Sequence, residues 1–192
     1  MKISTAWFGV FGGRKRKTCR RRRLSLELLE PRQLLTTLQL TPVADDTLYQ
    51  DPAGNLSNGV GQHLFVGTTG QNQNSVRRGV VKFNLAALPV GASITGAILT
   101  LNMSKTPSSV AQNVAVHRAL RDWGEGTSNA ALGGAGAGEG DGTQATSGDV
   151  TWLYTFYHTS TWTTPGGDFV AIASASPPSS VRMVGVSYIE IA

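Results

Sequence analysis

From residue 37 onward the chain is a succession of short β-branched runs cut apart by proline, glycine and asparagine. TLQLT, TLYQD and HLFVG come first, then RRGVVKFNL, ITGAILTLNM and NVAVHRAL, with turn chemistry such as LPVGA and KTPSS between them. No comparable stretch repeats its apolar residues at helical spacing. Strands bounded by turn residues, without intervening helices, predict an all-β antiparallel sandwich or jelly roll. Side chains alternate across a strand. Val81 and Phe83 are therefore expected on one face of their run, and Arg78 and Lys82 on a common side. In 94–103, Ile94, Gly96, Ile98 and Thr100 alternate with Thr95, Ala97, Leu99, Leu101 and Met103. The closing run SVRMVGVSYIEIA reads as one further strand.

The rhythm is broken once. Residues 124–148 hold nine glycines in 25 positions, a composition that reads as a long mobile loop. Aromatic residues resume in TWLYTFYHTSTW. If 152–157 is a strand, Trp152, Tyr154 and Phe156 share a face and Tyr157 lies on the other. The triple face suits a core, whereas an exposed Tyr157 and Trp162 suit a platform on which sugar rings stack.

Charge divides the chain in two. Residues 1–35 carry ten of the 17 Lys and Arg against Glu27 and Glu30 alone, a net +8. The remainder, with seven basic and ten acidic residues, is −3. The first domain is therefore a basic segment, 1–36, and the second the β module, 37–192. The body has no basic stripe and no helix-turn-helix or ribonucleoprotein pattern, so nucleic acid is not the expected partner. No run approaches the ~18 apolar residues of a membrane helix, so no transmembrane segment is expected. In ISTAWFGVFGG the apolar residues precede the basic cluster, the reverse of a conventional signal peptide. Cys19 is the single cysteine, which excludes a disulfide or a cysteine-based metal site within the chain.

Catalytic signatures are missing. GASIT has Thr95 where a nucleophile elbow needs its second glycine. GGAGAGEGDG has Gly138 where a calcium nonapeptide needs aspartate, in a single copy, and lacks dinucleotide-fingerprint spacing. His63, His117 and His158 form no pair at metal-ligand spacing. A non-enzymatic role is the expectation.

Two polar sets remain. In PVADDTLYQDPAGNLSNG, Asp45, Asp46, Asp51 and Asn55 are candidate oxygen ligands for Ca²⁺, which takes six to eight of them. Turn formation and capping account for the same residue types. Arg78, Lys82, Arg118 and Arg121, with Arg77 beside them, are ordinary solvated charge or donors to an acidic polysaccharide.

Two stretches resemble known families. RRRRLSLELLEPRQLL, residues 20–35, contains Leu29-Glu30-Pro31-Arg32-Gln33-Leu34-Leu35 and resembles the LEPR-XLL segment near the start of exported proteins of planctomycete type. The resemblance implies export or surface sorting, hence an extracellular or cell-surface location. Pro31 confines any helix there to a couple of turns. Residues 39 to about 175 resemble the DNRLRE-type domain, a β-sandwich related to carbohydrate-binding modules. VADDTLYQD, NLSNG, HLFVG, RRGVVKFNLAALPVGASITGAILTLNM, VHRALRDWGEG and DVTWLYTFYHTSTWTTPGGDF carry the match. The family pattern continues past GGDF with further strands, one bearing a tryptophan. The resemblance therefore implies a truncated or frame-shifted C-terminus, and an open sheet edge that invites association.

The expected function is a non-catalytic surface module that binds a polysaccharide, acidic in preference, through Tyr157, Trp162, Arg78, Lys82, Arg118 and Arg121. A structural or adhesive sandwich without sugar binding, and a fragment of a polysaccharide-degrading enzyme, are the alternatives.

Overall fold

One edge of the main sheet is an antiparallel strand pair that carries two adjacent aspartates in the middle of its outer strand. A computed structural model describes residues 37–70, 75–106, 111–132, 138–175, 182–184 and 187–190. The basic segment 1–36, with the stretch that resembles LEPR-XLL, lies outside these residues. Leu38–Ala192 groups as one unit. Strand β1 (Pro42–Tyr49) pairs antiparallel with β4 (Val76–Phe83), Asp46 opposite Val80 and Leu48 opposite Arg78. Strand β3 (Leu64–Thr68) extends the sheet from β4, β11 (Ser187–Glu190) follows β3, and β5 (Asn102–Lys105) is its far edge, in the order β1-β4-β3-β11-β5. Three small ribbons complete the set. They are β6 (Ala111–Asn113) with β10 (Arg182–Val184), β2 (Leu56–Ser57) with β7 (Thr143–Gln144), and β8 (Tyr154–Phe156) with β9 (Ser160–Thr161).

Every pairing of these strands is antiparallel. The only helical turns among the described residues are two 3₁₀ turns, Ala130–Leu132 and Glu139–Asp141. The described residues are all-β, as the punctuation of the chain predicts. No described helix is long and apolar enough to cross a membrane.

Both faces of the β1–β4 pair are covered. On one, Leu48, Trp123, Val150, Trp152 and Trp162 form the core, with Val76, Val80 and Leu153 packed against it. On the other, buried Leu64 gathers Val66, Val81, Leu101 and Val114, and Tyr49 and Phe65 meet with ring centroids 6.4 Å apart. Asp46 is fully buried in β1. The Thr47 N–H (2.6 Å), the Ser57 hydroxyl (2.6 Å) and the Asn58 N–H (3.1 Å) donate to its carboxylate, so the burial is compensated. Desolvation nonetheless pushes its pKa well above the ordinary carboxylate value; the three donors oppose that rise and nearby Asp149 adds to it.

Several expectations are corrected. TLQLT is not a strand; the strand begins at Pro42. The run 94–101 forms none either: residues 91–100 are exposed throughout and strand structure resumes only at Asn102. The closing run is two strands, and β11 lies inside the sheet between β3 and β5. In 152–157 only Tyr154–Phe156 is strand, Thr155 rather than its aromatic neighbours is its buried residue, and Trp152 enters the core from the preceding bend.

The glycine-rich stretch departs furthest from its composition. Residues 124–132 and 138–148 are folded against the body, with Ser128, Ala130 and Ala145 buried. Side-chain acceptors replace the missing apolar grip. Asp149 accepts from Thr127 N–H (2.8 Å), Ser128 N–H (3.3 Å), Thr146 N–H (2.5 Å) and the Thr146 hydroxyl (3.2 Å). Asn58 Oδ1 accepts from Ala130 N–H, and Glu139 Oε2 accepts from His63 N–H at 2.9 Å. Gly126, at φ +69°, is required here: a Cβ would sit 1.6 Å from Asp149 Oδ1.

Candidate functional site

One face of β4 carries Val76, Arg78, Val80 and Lys82, alternating as the sequence predicts, and that face meets the tryptophan core. Both of its cations hold their charged heads over aromatic rings. The Arg78 guanidinium lies 5.0 Å from the Trp152 ring and 5.3 Å from that of Phe169, and its Nη1 donates to the Gly166 carbonyl at 2.6 Å. No carboxylate pairs with Arg78 among the described residues. Desolvation lowers its pKa from the ordinary arginine value, as expected for a cation held between two rings.

Lys82 is placed differently. Its ammonium donates to Asp122 (2.6 Å) and to the Trp123 carbonyl (2.6 Å) and sits 4.9 Å over the Trp123 ring. The Lys82 hydrogen bond, with that of the Trp123 N–H, holds the Asp122 carboxyl below its usual range. Lys82 is thus engaged within the fold rather than offered to a ligand.

The loop Thr163–Phe169 builds the opposite wall. Gly166, at φ +87°, approaches so closely that a Cβ would stand 2.7 Å from the Trp152 ring and 2.8 Å from Arg78 Nη1; only glycine fits. The Thr163 N–H (2.8 Å) and Thr164 N–H (2.9 Å) donate to the Asp168 carboxylate, and Arg121 pairs with it at 2.7 Å. These contacts, led by the Thr163 N–H, hold Asp168 below the ordinary carboxylate range. Arg121 also donates to the Thr163 hydroxyl at 2.9 Å. Backbone pairing of Ala119 with Phe169, and of Leu120 N–H with the Asp168 carbonyl, ties the two walls together.

The result is an open cleft of about 560 Å³ lined by Arg78, Leu120, Arg121, Thr163, Thr164, Pro165, Gly167, Asp168 and Phe169. Phe169 is 40% exposed, with His117 against its ring at 5.1 Å. The cleft offers an aromatic surface, two hydroxyls and the Arg78 guanidinium, the Arg121 guanidinium being paired there with Asp168. Such a set stacks on the C–H face of a sugar ring and donates to a carboxylate or sulfate.

The sequence-predicted residues divide accordingly. Arg78 and Arg121 come together in the cleft. Arg118 is exposed and lies outside the lining; its backbone carbonyl accepts from Val170 N–H. Tyr157 is half-buried, stacked on His158 at 4.0 Å, with its hydroxyl accepting from Gln144. Trp162 is a correction. It is 5% exposed in the core, its indole N–H donating to the Thr151 carbonyl, because residue 162 follows β9 back into the sheet-covering layer. It cannot serve as a sugar platform.

The proposed metal set is dispersed in its roles. Asp45 and Asp46, neighbours on a strand, project to opposite faces, and Asp46 is consumed by its three internal donors. Asp45 receives no such set; burial first, and the charge of Glu125 second, raise its pKa. Asp51 lies past the end of β1, and the Asn55 carbonyl accepts from Ala145 N–H. Among the described residues no three His, Cys, Asp or Glu side chains are grouped to hold a metal ion.

Thr163, Thr164, Gly166, Asp168 and Phe169 escaped the sequence reading. The run TTPGGDF did signal a tight turn through Pro-Gly-Gly, with an aspartate able to cap two preceding N–H groups. What the run lacked was any indication that its partner in space is Arg78. Comparison with family models, characterised proteins and solved structures returns no match.

Proposed function

We propose that the chain is a non-catalytic module of the DNRLRE-type β-sandwich class, exported to the cell surface, that binds an acidic polysaccharide in the Arg78–Phe169 cleft. The observation that carries this reading is Arg78. It is a guanidinium without a carboxylate partner among the described residues, held between Trp152 and Phe169 in an open cleft. A cation fixed in this way keeps donors for an anionic ligand at little entropic cost. The only carboxylate lining the cleft, Asp168, is committed to Thr163, Thr164 and Arg121, which leaves no free acid/base pair there for glycosidic cleavage.

Affinity-gel electrophoresis through a polyuronate, with a neutral glucan as control, tests the reading. Arg78→Gln should weaken retardation about tenfold, equivalent to ~1.4 kcal/mol. Phe169→Ala should weaken it at every salt concentration, because stacking is not screened. Lys82→Gln should change it little, since that ammonium is already engaged. Absence of retardation of the folded chain in every gel would refute the proposal.

A structural or adhesive role draws on a separate observation. Val90, Ile94 and Ile98 are exposed, in a segment leading to the edge strand β5, whose four residues are also exposed. Open edges and apolar patches promote association. Concentration-dependent self-association without sugar binding would favour that role.

A further inference from the structure

The hairpin that joins β8 to β9 carries three rings that the Arg78–Phe169 cleft does not use. Tyr157 and His158 stack with centroids 4.0 Å apart and planes 21° apart. Tyr154 stands nearly upright to both, 5.4 Å and 80° from Tyr157, 5.6 Å and 74° from His158. The three make a corner, a flat pair with a wall at its side. Tyr154 and Tyr157 are half-buried. His158 is exposed, and presents to solvent the face that Tyr157 does not cover.

Backbone strain singles the corner out. His158 adopts φ +58°, the one non-glycine residue at positive φ among those described. It is third in a turn that the Thr159 N–H closes on the Phe156 carbonyl at 2.9 Å. Glycine reaches that conformation freely. An exposed side chain held there instead marks a place where the ring matters more than the ease of the turn. Hydrogen bonding points the same way. Gln144 Nε2 donates to the Tyr157 hydroxyl oxygen at 2.9 Å, which leaves the phenolic O–H to donate outward. Among the described residues the Tyr154 hydroxyl and the His158 ring nitrogens take no partner, and none is sealed from solvent. Charge narrows the ligand. Between Gly142 and Gly167 the only acidic or basic side chain besides His158 is Asp149. It is buried and turned to the N–H groups of Thr127, Ser128 and Thr146.

We propose that this corner is a second binding site, separate from the cleft, for a neutral, hydroxyl-bearing pyranose ring. The C–H face of the sugar lies on His158 against the Tyr154 wall, and its hydroxyls meet the two phenols and the imidazole. Aromatic faces attract the weakly positive C–H groups of a sugar, and the open phenols and ring nitrogens satisfy its hydroxyls. A hairpin without an exposed carboxylate, lysine or arginine gives an ionic sugar nothing to pair with. The site does not depend on the acidic-polysaccharide reading of the cleft.

Affinity-gel electrophoresis of the full chain through galactomannan and through xyloglucan tests it, since Arg78 meets no anion in either. The wild-type chain should be retarded in at least one gel, equally at low and high salt, because no screened charge contact is involved. His158→Gly should lose about tenfold in affinity yet melt no lower than wild type, because glycine relieves the turn as it removes the ring. Tyr154→Phe, which keeps the wall and drops its hydroxyl, should lose about threefold. Arg78→Gln should change nothing. Retardation that survives His158→Gly, or no retardation of the folded chain in either gel, overturns the site. A His158→Gly chain that melts well below wild type shows that the stack serves the fold, and overturns it too. Binding of decaproline, which also lies on tyrosine faces, in place of both polymers overturns the sugar assignment. Loss of polyuronate binding alone leaves this site standing, and failure here leaves the cleft standing.

Discussion

The stretch 124–148 and the run 90–101 invert what their compositions suggest. The first is more than one-third glycine, yet its described residues fold against the body with Ser128, Ala130 and Ala145 buried. The second is β-branched, apolar and uncharged, yet Ile98 is 95% exposed and no strand forms across it. What separates them is the availability of partners. Glycine-rich backbone has N–H groups to donate, and Asp149 and Asn58 stand where they can accept, while Glu139 within the stretch accepts from the His63 N–H of the body. The run 90–101 has strand propensity but pairs with no strand among the described residues, and propensity without pairing does not make a sheet. A few well-placed acceptors can order a segment that hydrophobicity alone would leave loose.

The contrast breaks most decisively at Asp149. Asp149→Ala strands three backbone N–H groups, so unfolding free energy should fall by about 3 kcal/mol or more, read by denaturant titration. A loss below 1 kcal/mol would show that the segment is ordered by something other than this carboxylate. Asn58→Ala should cost about 1–2 kcal/mol and expose the Ala130 amide to hydrogen exchange.

Acidification probes the cleft's own anchored loop. Asp168 has a depressed folded pKa, so its contribution is present above the unfolded carboxylate value of about 3.9 and is lost as pH falls through the folded value. Polyuronate binding should therefore weaken as pH drops below about 4, and Asp168→Asn should remove that part of the profile. Protonation of the polyuronate itself falls in the same range, so the comparison is made with a sulfated polymer, which stays charged.

The smallest effect belongs to the exposed run. Ile98→Ser should change stability by no more than about 0.5 kcal/mol, as for an unburied side chain. A loss above 1.5 kcal/mol would place Ile98 in a packed interface. Measured over a concentration series, the same variant also reports whether that face associates.

Much of the architecture was legible. Strand β4 and its alternation follow from RRGVVKFNL, because its β-branched residues favour a strand and successive side chains point to opposite faces. The site was half legible. Arg78 and Arg121 stood out as charges, but Phe169 and Asp168 belong to a run of turn residues that carries no address. Trp162 misled because an aromatic beside polar residues reads the same in a platform and in a core. Only its position after β9, with the Thr151 carbonyl waiting for its N–H, separates the two.

The sequence by itself determined the all-β class, the charge division between residues 1–35 and the body, and which residues of β4 share a face. Those properties are local, set by turn chemistry, composition and the two-residue period of a strand. Tertiary structure alone decided that Gly166 would meet Arg78 across 88 positions, that Asp46 and Asp149 would be buried acceptors, and that a strand-like run would stand unpaired. Each of these depends on which groups arrive within hydrogen-bond or van der Waals reach, and no pattern along the chain encodes that distance.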